Sequence, residues 1–375
     1  SGVDPLFWTD FFGKRVFSAL KGRFPSAHVT LKGAVQADDE TVKHLRAQTL
    51  SADALIAVGS GTVSDLCKYV SHLDRKPYIM FPTAASMNGY LSANASIASR
   101  GHKKTLPAHM PVAVCCDMGV IAAAPARMSK SGLGDSLARP TAQADWLLSH
   151  VLLGTPYEEM PFALLSSLEP QVFDQARGIA LADPASITLL MKLLLLSGLG
   201  MTIAGGSYPA SQGEHMIAHT MEMLKNQDPR FGIQGKTNIS PFHGEQIGVT
   251  ALTMARLQEK LLASKPSLRP SDFSSERMIA RFGSEAAAQA RKGFDGKAAL
   301  VEHSSAGGAF FSPWDDLLEK IAPVRLSAQK IESILKAAEA PVAVEALGWS
   351  DKGYQTAVDY ARYTRERFTF LDLCT

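Results

Sequence analysis

The chain is poor in features that mark several large protein classes. It carries four cysteines in 375 residues (Cys67, Cys115, Cys116 and Cys374), with no C-x-x-C spacing. This excludes a disulfide scaffold and a thiolate zinc site, and it fits a reducing, cytoplasmic compartment. Lys and Arg number 38 against 36 Asp and Glu, a net charge of +2, and no basic run occurs. A nucleic-acid surface is therefore not expected, although a local pocket could still hold an anion. "SGVDPLFWTDFF" has no basic stretch followed by an apolar one, so no signal peptide is expected. No H-E-x-x-H occurs, which argues against a zinc protease. The most apolar stretch, "ITLLMKLLLLSGLGMTIAGG" (187–206), is interrupted by Lys192 and several glycines. It reads as a core helix ending near Gly198 rather than a membrane insertion.

Hydrophobic residues make up 46% and charged residues 20%, ordinary values for a globular chain, and the length suggests two domains. The first third alternates strand-like and helix-like pieces. Strands are expected in "HVTLKGAV" (28–35), "DALIAVGSG" (53–61), "KPYIMFPTAAS" (76–86) and "PVAVCCDMGVI" (111–121). Helices are expected in "DDETVKHLRAQTLSA" (38–52) and "TVSDLCKYVSHLD" (62–74). This rhythm implies a parallel sheet with helical crossovers. From about Ala124 long helical periodicities take over, including "ARMSKSGLGDSLARPTAQADWLLSHVLL", "GEHMIAHTMEML", "HGEQIGVTALTMARLQEKLL" and "DKGYQTAVDYARYTRERF". The expected division is an α/β domain over 1–124 and an all-helical domain over 125–375. "KNQDPRFGIQGKTNISP" (225–241) reads as a polar loop.

Two groups of residues carry chemistry. Gly59-Ser60-Gly61-Thr62 lies between a strand and a helix, where glycines admit positive φ and the helix N-terminus favours a phosphate. A simple tight turn would leave the same local pattern. The second group is Asp135, His215, His219 and His243. On a helix His215 and His219 share a face. One carboxylate and two histidines suffice for an open catalytic metal site, and suit Zn, Ni or Fe, although each histidine taken alone also fits a structural or surface role.

"VGSGTVSD", "PTAASMNGYLSANASI", "APARMSKSGLGDSLARPTAQADW", "GEHMIAHTMEM", "FHGEQIGV" and "RERFTFLDL" occur in this order. Together they resemble the sn-glycerol-1-phosphate dehydrogenases, within the wider group of iron-type alcohol dehydrogenases, glycerol dehydrogenases and dehydroquinate synthases. The resemblance covers residues 53–373. It implies a dehydroquinate synthase-like fold, with an α/β nucleotide-binding domain followed by an all-α domain. It implies that Gly59, Ser60, Gly61, Thr62, Asp65, Thr83 and Ser86 bind NAD or NADP. Asp135, His215 and His243 would hold one divalent metal, Zn first, with Ni or Fe as alternatives. His219 would lie near the nicotinamide or the substrate rather than on the metal, Asn88 would face the substrate, a small phosphorylated polyol or ketone, and the assembly would be a homo-oligomer such as a dimer.

The chain departs from the family pattern in three places. Asn88-Gly89 stands where Asp-Gly is expected, which removes a charge and a base. Arg139 stands where Lys is usual. A first strand ending in an Asp-x-x-Thr-like turn ahead of "FFGKRVFSAL" (11–20) is not found, as if residues were missing or the domain trimmed, and NAD versus NADP stays open. Lys103, Lys104 and Arg139 are phosphate candidates by charge, and Arg365 and Arg367 match the C-terminal family pattern. A dehydroquinate-synthase-like cyclase is the alternative enzyme, but the synthases resemble a Glu ligand and a "GHTFGH" stretch, where this chain has Asp135 and "GEHMIAH". A non-catalytic nucleotide-binding relative rests on Asn88 alone.

Overall fold

The computed structural model describes residues 5–31, 35–99, 102–227, 231, 241–306, 308 and 310–375. In chain order, α1 (Pro5–Lys21) and α2 (Asp39–Gln48) precede β1 (Leu55–Gly59), α3 (Gly61–Asp74) and β2 (Tyr78–Pro82). Then come β3 (Asn94–Ser99), β4 (His102–Pro107), β5 (Ala113–Val114), α4 (Met118–Ala122), α5 (Ala126–Ser136) and α6 (Ala138–Leu153). The short helices α7 (Met160–Ala163), α8 (Glu169–Asp174) and α9 (Ala176–Ala180) lead to α10 (Pro184–Ile203), α11 (Gly213–Gln227) and α12 (His243–Leu262). The chain ends with β6 (Ser267–Leu268), α13 (Ser275–Phe282), α14 (Ser284–Ser305), α15 (Trp314–Ile321), α16 (Ala328–Ala337), α17 (Asp351–Ala361) and β7 (Leu373–Cys374).

Two compact units form. The first comprises Ser1–Ser136, Met160–Ser207 and Ala337–Glu339, and the second comprises Leu137–Glu159, Tyr208–Lys336 and Ala340–Thr375. The helices from Met160 to Ile203 follow Pro125 in sequence yet belong to the strand-bearing unit, so chain order and compactness divide the molecule differently.

In the first unit β1, β2 and β5 form a parallel sheet in that order, with α3 as the crossover between β1 and β2. The apolar runs of β1 and β2 alternate buried and less buried positions as a sheet requires. Asp38 begins α2 as expected, its carboxylate accepting the Thr41 N–H at 2.8 Å. The expected strand at 28–35 is not formed over residues 28–31, and residues 32–34 lie outside the described set. The expected strand at 111–121 shrinks to Ala113–Val114, because Asp117 caps the helix α4 through the Gly119 and Val120 N–H groups. An antiparallel hairpin of β3 and β4 was not anticipated; it pairs Asn94 with Pro107 through to Ser99 with His102.

The helix α10 starts on Asp183 and Pro184, a capping residue followed by the proline that suits a first turn. It does not end near Gly198 but runs to Ile203. A Cβ on Gly198 would stand 2.7 Å from the Asn88 carbonyl oxygen and 2.9 Å from the Leu91 nitrogen, so this glycine admits neighbouring backbone rather than stopping the helix. By length and composition α10 could cross a membrane (mean hydropathy 1.8), and 56% of that window is buried in the protein. Gly132 in α5 plays the same part as Gly198: a Cβ there would overlap the Ala85 carbonyl oxygen.

In the second unit, α6, α11 and α12 share an apolar core with α13, α14, α15 and the C-terminal segment, through residues such as Leu148, Met216, Met254, Phe282, Leu317 and Phe370. The strand β7 returns antiparallel to β6. Of the polar loop expected at 225–241, residues 228–230 and 232–240 lie outside the described residues, and Lys225–Gln227 instead form the end of α11.

The close backbone approach at Gly132 has a measurable cost. Gly132→Ala should lower stability by about 2–3 kcal/mol through overpacking against a backbone atom. Gly296→Ala, inside α14 with nothing within 4 Å of its Cβ position, should raise it by about 0.5–1 kcal/mol. Urea denaturation midpoints of the two variants should move in opposite directions.

Candidate functional site

The candidate residues fall into two groups, one in each unit. In the first, β1 runs through Gly59 into Ser60, which occupies the N-cap position of α3 in extended conformation (φ −103°, ψ −151°) without a side-chain capping bond. The expected positive φ is absent: neither Gly59 nor Gly61 has one. Gly59 is needed for space, since a Cβ there would meet the Val63 side chain at 2.6 Å. The first turn of α3 therefore presents backbone N–H groups beside Thr62, the arrangement that suits a phosphate.

Thr83 follows β2, and its N–H donates to the Gly59 carbonyl at 3.0 Å, so the two turns at the strand ends are fastened together. Ser86 lies 3.2 Å from the Tyr90 hydroxyl, which donates to the Ala84 carbonyl at 2.7 Å. Asn88 is buried, and its backbone N–H donates to Asp135 Oδ2 at 2.9 Å. Asp135 is 1% exposed and sits in the last turn of α5, the helix that Gly132 brings against Ala85.

Sequence reasoning passed over Lys68. It is fully buried in α3, and its ammonium donates to the Gly89 carbonyl (2.6 Å), the Asn94 carbonyl (2.9 Å) and Ser92 Oγ (3.0 Å). Asp65, three residues earlier, lies 3.7 Å away. Burial holds the Lys68 amine below the usual lysine range, and the Asp65 charge opposes that shift. The available signal was a lysine on the apolar face of an amphipathic helix.

In the second unit three imidazoles cluster. Ring centroids are 5.1 Å apart for His215 and His243, 5.7 Å for His219 and His243, and 6.0 Å for His215 and His219. The i, i+4 spacing on α11 places the first pair on one face, and His243 opens α12. Ala138, Ala218 and Ile247 form a small fully buried cluster that joins α6, α11 and α12. His215 Nδ1 lies 2.9 Å from Glu214 Oε1. Glu214 is fully buried and also accepts from the Gln212 N–H (2.7 Å) and Thr141 Oγ1 (3.2 Å). Burial pushes the Glu214 carboxyl up, but the bond and charge of His215 and the Gln212 N–H outweigh it and leave the group below the usual range. His219 Nδ1 faces Glu222 Oε2 at 3.4 Å.

Asp145 fixes the start of α11. Its Oδ2 accepts the Gly213 N–H and its Oδ1 the Phe370 N–H, both at 3.0 Å. Burial and the nearby Glu214 charge raise its carboxyl well above the ordinary aspartate range, and the N–H donors offset part of this. Arg367 donates to the Ser211 carbonyl and stacks 4.4 Å over the Tyr208 ring, while Arg365 reaches Ser211 Oγ at 3.4 Å. The C-terminal "RERF" thus secures the loop that enters α11. Arg139 donates to Gln143 Oε1 at 2.5 Å on α6. Lys104 lies on β4, and the side chain of Lys103 is outside the described residues.

The comparisons with known proteins agree with this architecture. Residues 7–125 match the family described as iron-containing alcohol dehydrogenase. The solved structure of a probable glycerol dehydrogenase from Sinorhizobium meliloti 1021 superposes with a TM-score of 0.61 at 18% identity, covering 96% of this chain and 84% of that one. The fold is therefore that of the glycerol dehydrogenase and iron-type alcohol dehydrogenase class, an α/β unit joined to a helical one. Among sequence relatives, the glycerol-1-phosphate dehydrogenase [NAD(P)+] of Pyrococcus furiosus is 36% identical over 245 residues, 65% of this chain and 67% of that protein. That of Bacillus licheniformis is 33% identical over 257 residues, 67% of this chain and 62% of that protein. The chain belongs to the glycerol-1-phosphate dehydrogenase family, and it spans about two thirds of the length of these curated relatives.

Asp145→Ala would leave the Gly213 and Phe370 N–H groups without their acceptor in a buried site. The expected loss is about 2–4 kcal/mol, read from the denaturant midpoint.

Proposed function

We propose that the protein is an NAD(P)-linked, divalent-metal-dependent dehydrogenase that interconverts sn-glycerol 1-phosphate and dihydroxyacetone phosphate. The observation that carries this reading is the 36% identity to the Pyrococcus furiosus glycerol-1-phosphate dehydrogenase [NAD(P)+]. The geometry within each unit supports it. In this reading segment 1–124 binds the nucleotide and 125–375 the metal and substrate.

Asp135, His215 and His243 are the proposed metal ligands. One carboxylate and two imidazoles suit Zn, Ni or Fe. The donor set fits in two respects. Glu214 engages His215 Nδ1, which would leave Nε2 as the nitrogen available to a metal. Asp135 is buried, and its Oδ2 accepts the Asn88 N–H at 2.9 Å, which fixes the carboxylate. When bound, the cation would act as a Lewis acid on the substrate oxygen, and the nicotinamide would carry the hydride.

The protein's own residues supply position and proton control. Gly59, Ser60, Gly61 and Thr62 offer the cofactor pyrophosphate the first-turn N–H groups of α3. Asp65, Thr83 and Ser86 complete the proposed cofactor contacts. Asn88 offers an amide that can donate to and accept from substrate hydroxyls but cannot serve as a base. His219, partnered by Glu222, is the polar group placed to pass a proton near the substrate. The HxxxH pair is thus divided in role, one proposed ligand and one proton-handling group. A cytoplasmic homo-oligomer, such as a dimer, without membrane insertion belongs to the same reading.

The deciding experiment is oxidation of NADH and of NADPH with dihydroxyacetone phosphate, after chelation and after return of Zn, Ni or Fe. Turnover should vanish on chelation and return with metal. Activity gained only by Asn88→Asp would mean a different substrate, and silence from both despite bound metal would overturn the reading. Glu214→Gln should weaken metal affinity about 10- to 100-fold in a competition titration with a chelator.

A further inference from the structure

One buried ammonium group joins residues to which the proposed function gives separate tasks. Lys68 has three N–H donors, and three acceptors take them: the Gly89 carbonyl, the Asn94 carbonyl and Ser92 Oγ. The Asp65 carboxylate, at 3.7 Å, balances the charge. The chain of contacts continues past Gly89, because the neighbouring Asn88 N–H donates to Asp135 Oδ2. All of these residues lie in the first unit. The line runs from the proposed cofactor residue Asp65, through Lys68, to the loop bearing Asn88, and ends on a proposed metal ligand.

Of the other charged residues in α3, Asp65 lies beside Lys68 and Asp74 pairs with Arg46. Ser64 and Ser71, which share the face of Lys68, are short, and the other buried residues of α3, Leu66 and Val70, are apolar. An aliphatic side chain of the same length would fill the space but leave two inward-facing carbonyls without this donor, and the loop would be free to change its hydrogen bonding. A lysine ammonium is a compact group with three rotatable donors, which suits three converging acceptors better than a planar guanidinium does.

We propose that Lys68 is a positioning residue that couples the cofactor site on α3 to the Asn88–Asn94 loop and to the Asp135 carboxylate. Displacement of α3 on cofactor binding is transmitted to the loop through the ammonium, and the orientation of Asp135 follows through the Asn88 N–H. This inference rests on the proposed cofactor and metal roles of Asp65 and Asp135.

The test uses the full chain and two binding readouts independent of turnover. NADH and NADPH affinities are measured by fluorescence titration, and zinc affinity by competition with a chelator. Lys68→Met should weaken both nucleotide and zinc binding at least fivefold. Val70→Ala, a buried truncation on the same helix outside this line of contacts, should leave both within twofold while lowering the denaturation midpoint. Equal affinities in Lys68→Met and Val70→Ala would overturn the proposal, since Lys68 would then be only a stabilising residue. Where Lys68→Met does not fold, Ser92→Ala decides: it removes one of the three acceptors and should weaken both ligands about two- to fivefold, and unchanged affinities would overturn the coupling. A native protein that binds neither nucleotide nor zinc would instead overturn the proposed function, and the coupling with it.

Discussion

Buried irregular backbone is the constraint on which the first unit depends. Residues 83–94 leave the sheet after β2 and cross the interior without forming helix or strand until β3 begins. Thr83, Ala84, Ala85, Asn88, Tyr90 and Ser92 are buried, and buried backbone N–H and C=O groups need partners. Three distant side chains supply partners: Lys68 for the Gly89 and Asn94 carbonyls, Asp135 for the Asn88 N–H, and Thr202 for the Ala93 N–H and Leu91 carbonyl; Tyr90, within the segment, donates to the Ala84 carbonyl. Two helices approach this segment closely enough that only glycine fits, at Gly132 and Gly198. A loop held on all sides in this way can present residues with the accuracy of a strand, and Thr83, Ser86 and Asn88 all lie on it.

The second unit solves a related problem with buried charge. Asp145 and Glu214 are both fully enclosed, and each is satisfied largely by N–H groups at the start of α11 or in the C-terminal segment. A second enclosed group joins Lys297, Arg362 and Asp372, with Lys297 Nζ at 2.8 Å and Arg362 Nε at 3.3 Å from Asp372 Oδ1. Such groups are poor sources of net stability but costly to break, so they fix one arrangement of the chain ends against the helices. Arg365 and Arg367 follow directly from Arg362 and reach Ser211, just ahead of α11. The position of His215 therefore depends on residues about 150 positions away in sequence.

Local pattern carried much of this. The alternation of apolar runs and amphipathic segments located β1, α3, β2, α11, α12 and α17, and capping residues such as Asp38 marked where helices start. The β3 and β4 hairpin escaped notice although "ANASIAS" alternates, with Ala95 and Ile97 buried, because its apolar positions are mostly alanine and its partner "HKKTLP" is largely polar. The end of α10 was misplaced for a different reason. A glycine near a helix terminus and a glycine at a helix–loop crossing look the same in one dimension, and only the neighbouring Asn88 carbonyl distinguishes them. Lys68 was overlooked because an isolated lysine in an amphipathic helix ordinarily faces solvent.

The sequence by itself determined the β1–α3–β2 unit and the long helices α11, α12 and α17, the parallel character of the small sheet, the glycine turn ahead of α3 and the family to which the motifs belong. These follow from short-range chemistry: side-chain periodicity, caps and turn residues act over a few positions. Only the tertiary structure decided which helices share a core with the strands, how the buried 83–94 segment is satisfied, and which carboxylate holds which nitrogen. Those outcomes depend on contacts between residues 20 to 225 positions apart, set by the requirement that every buried polar group find a partner.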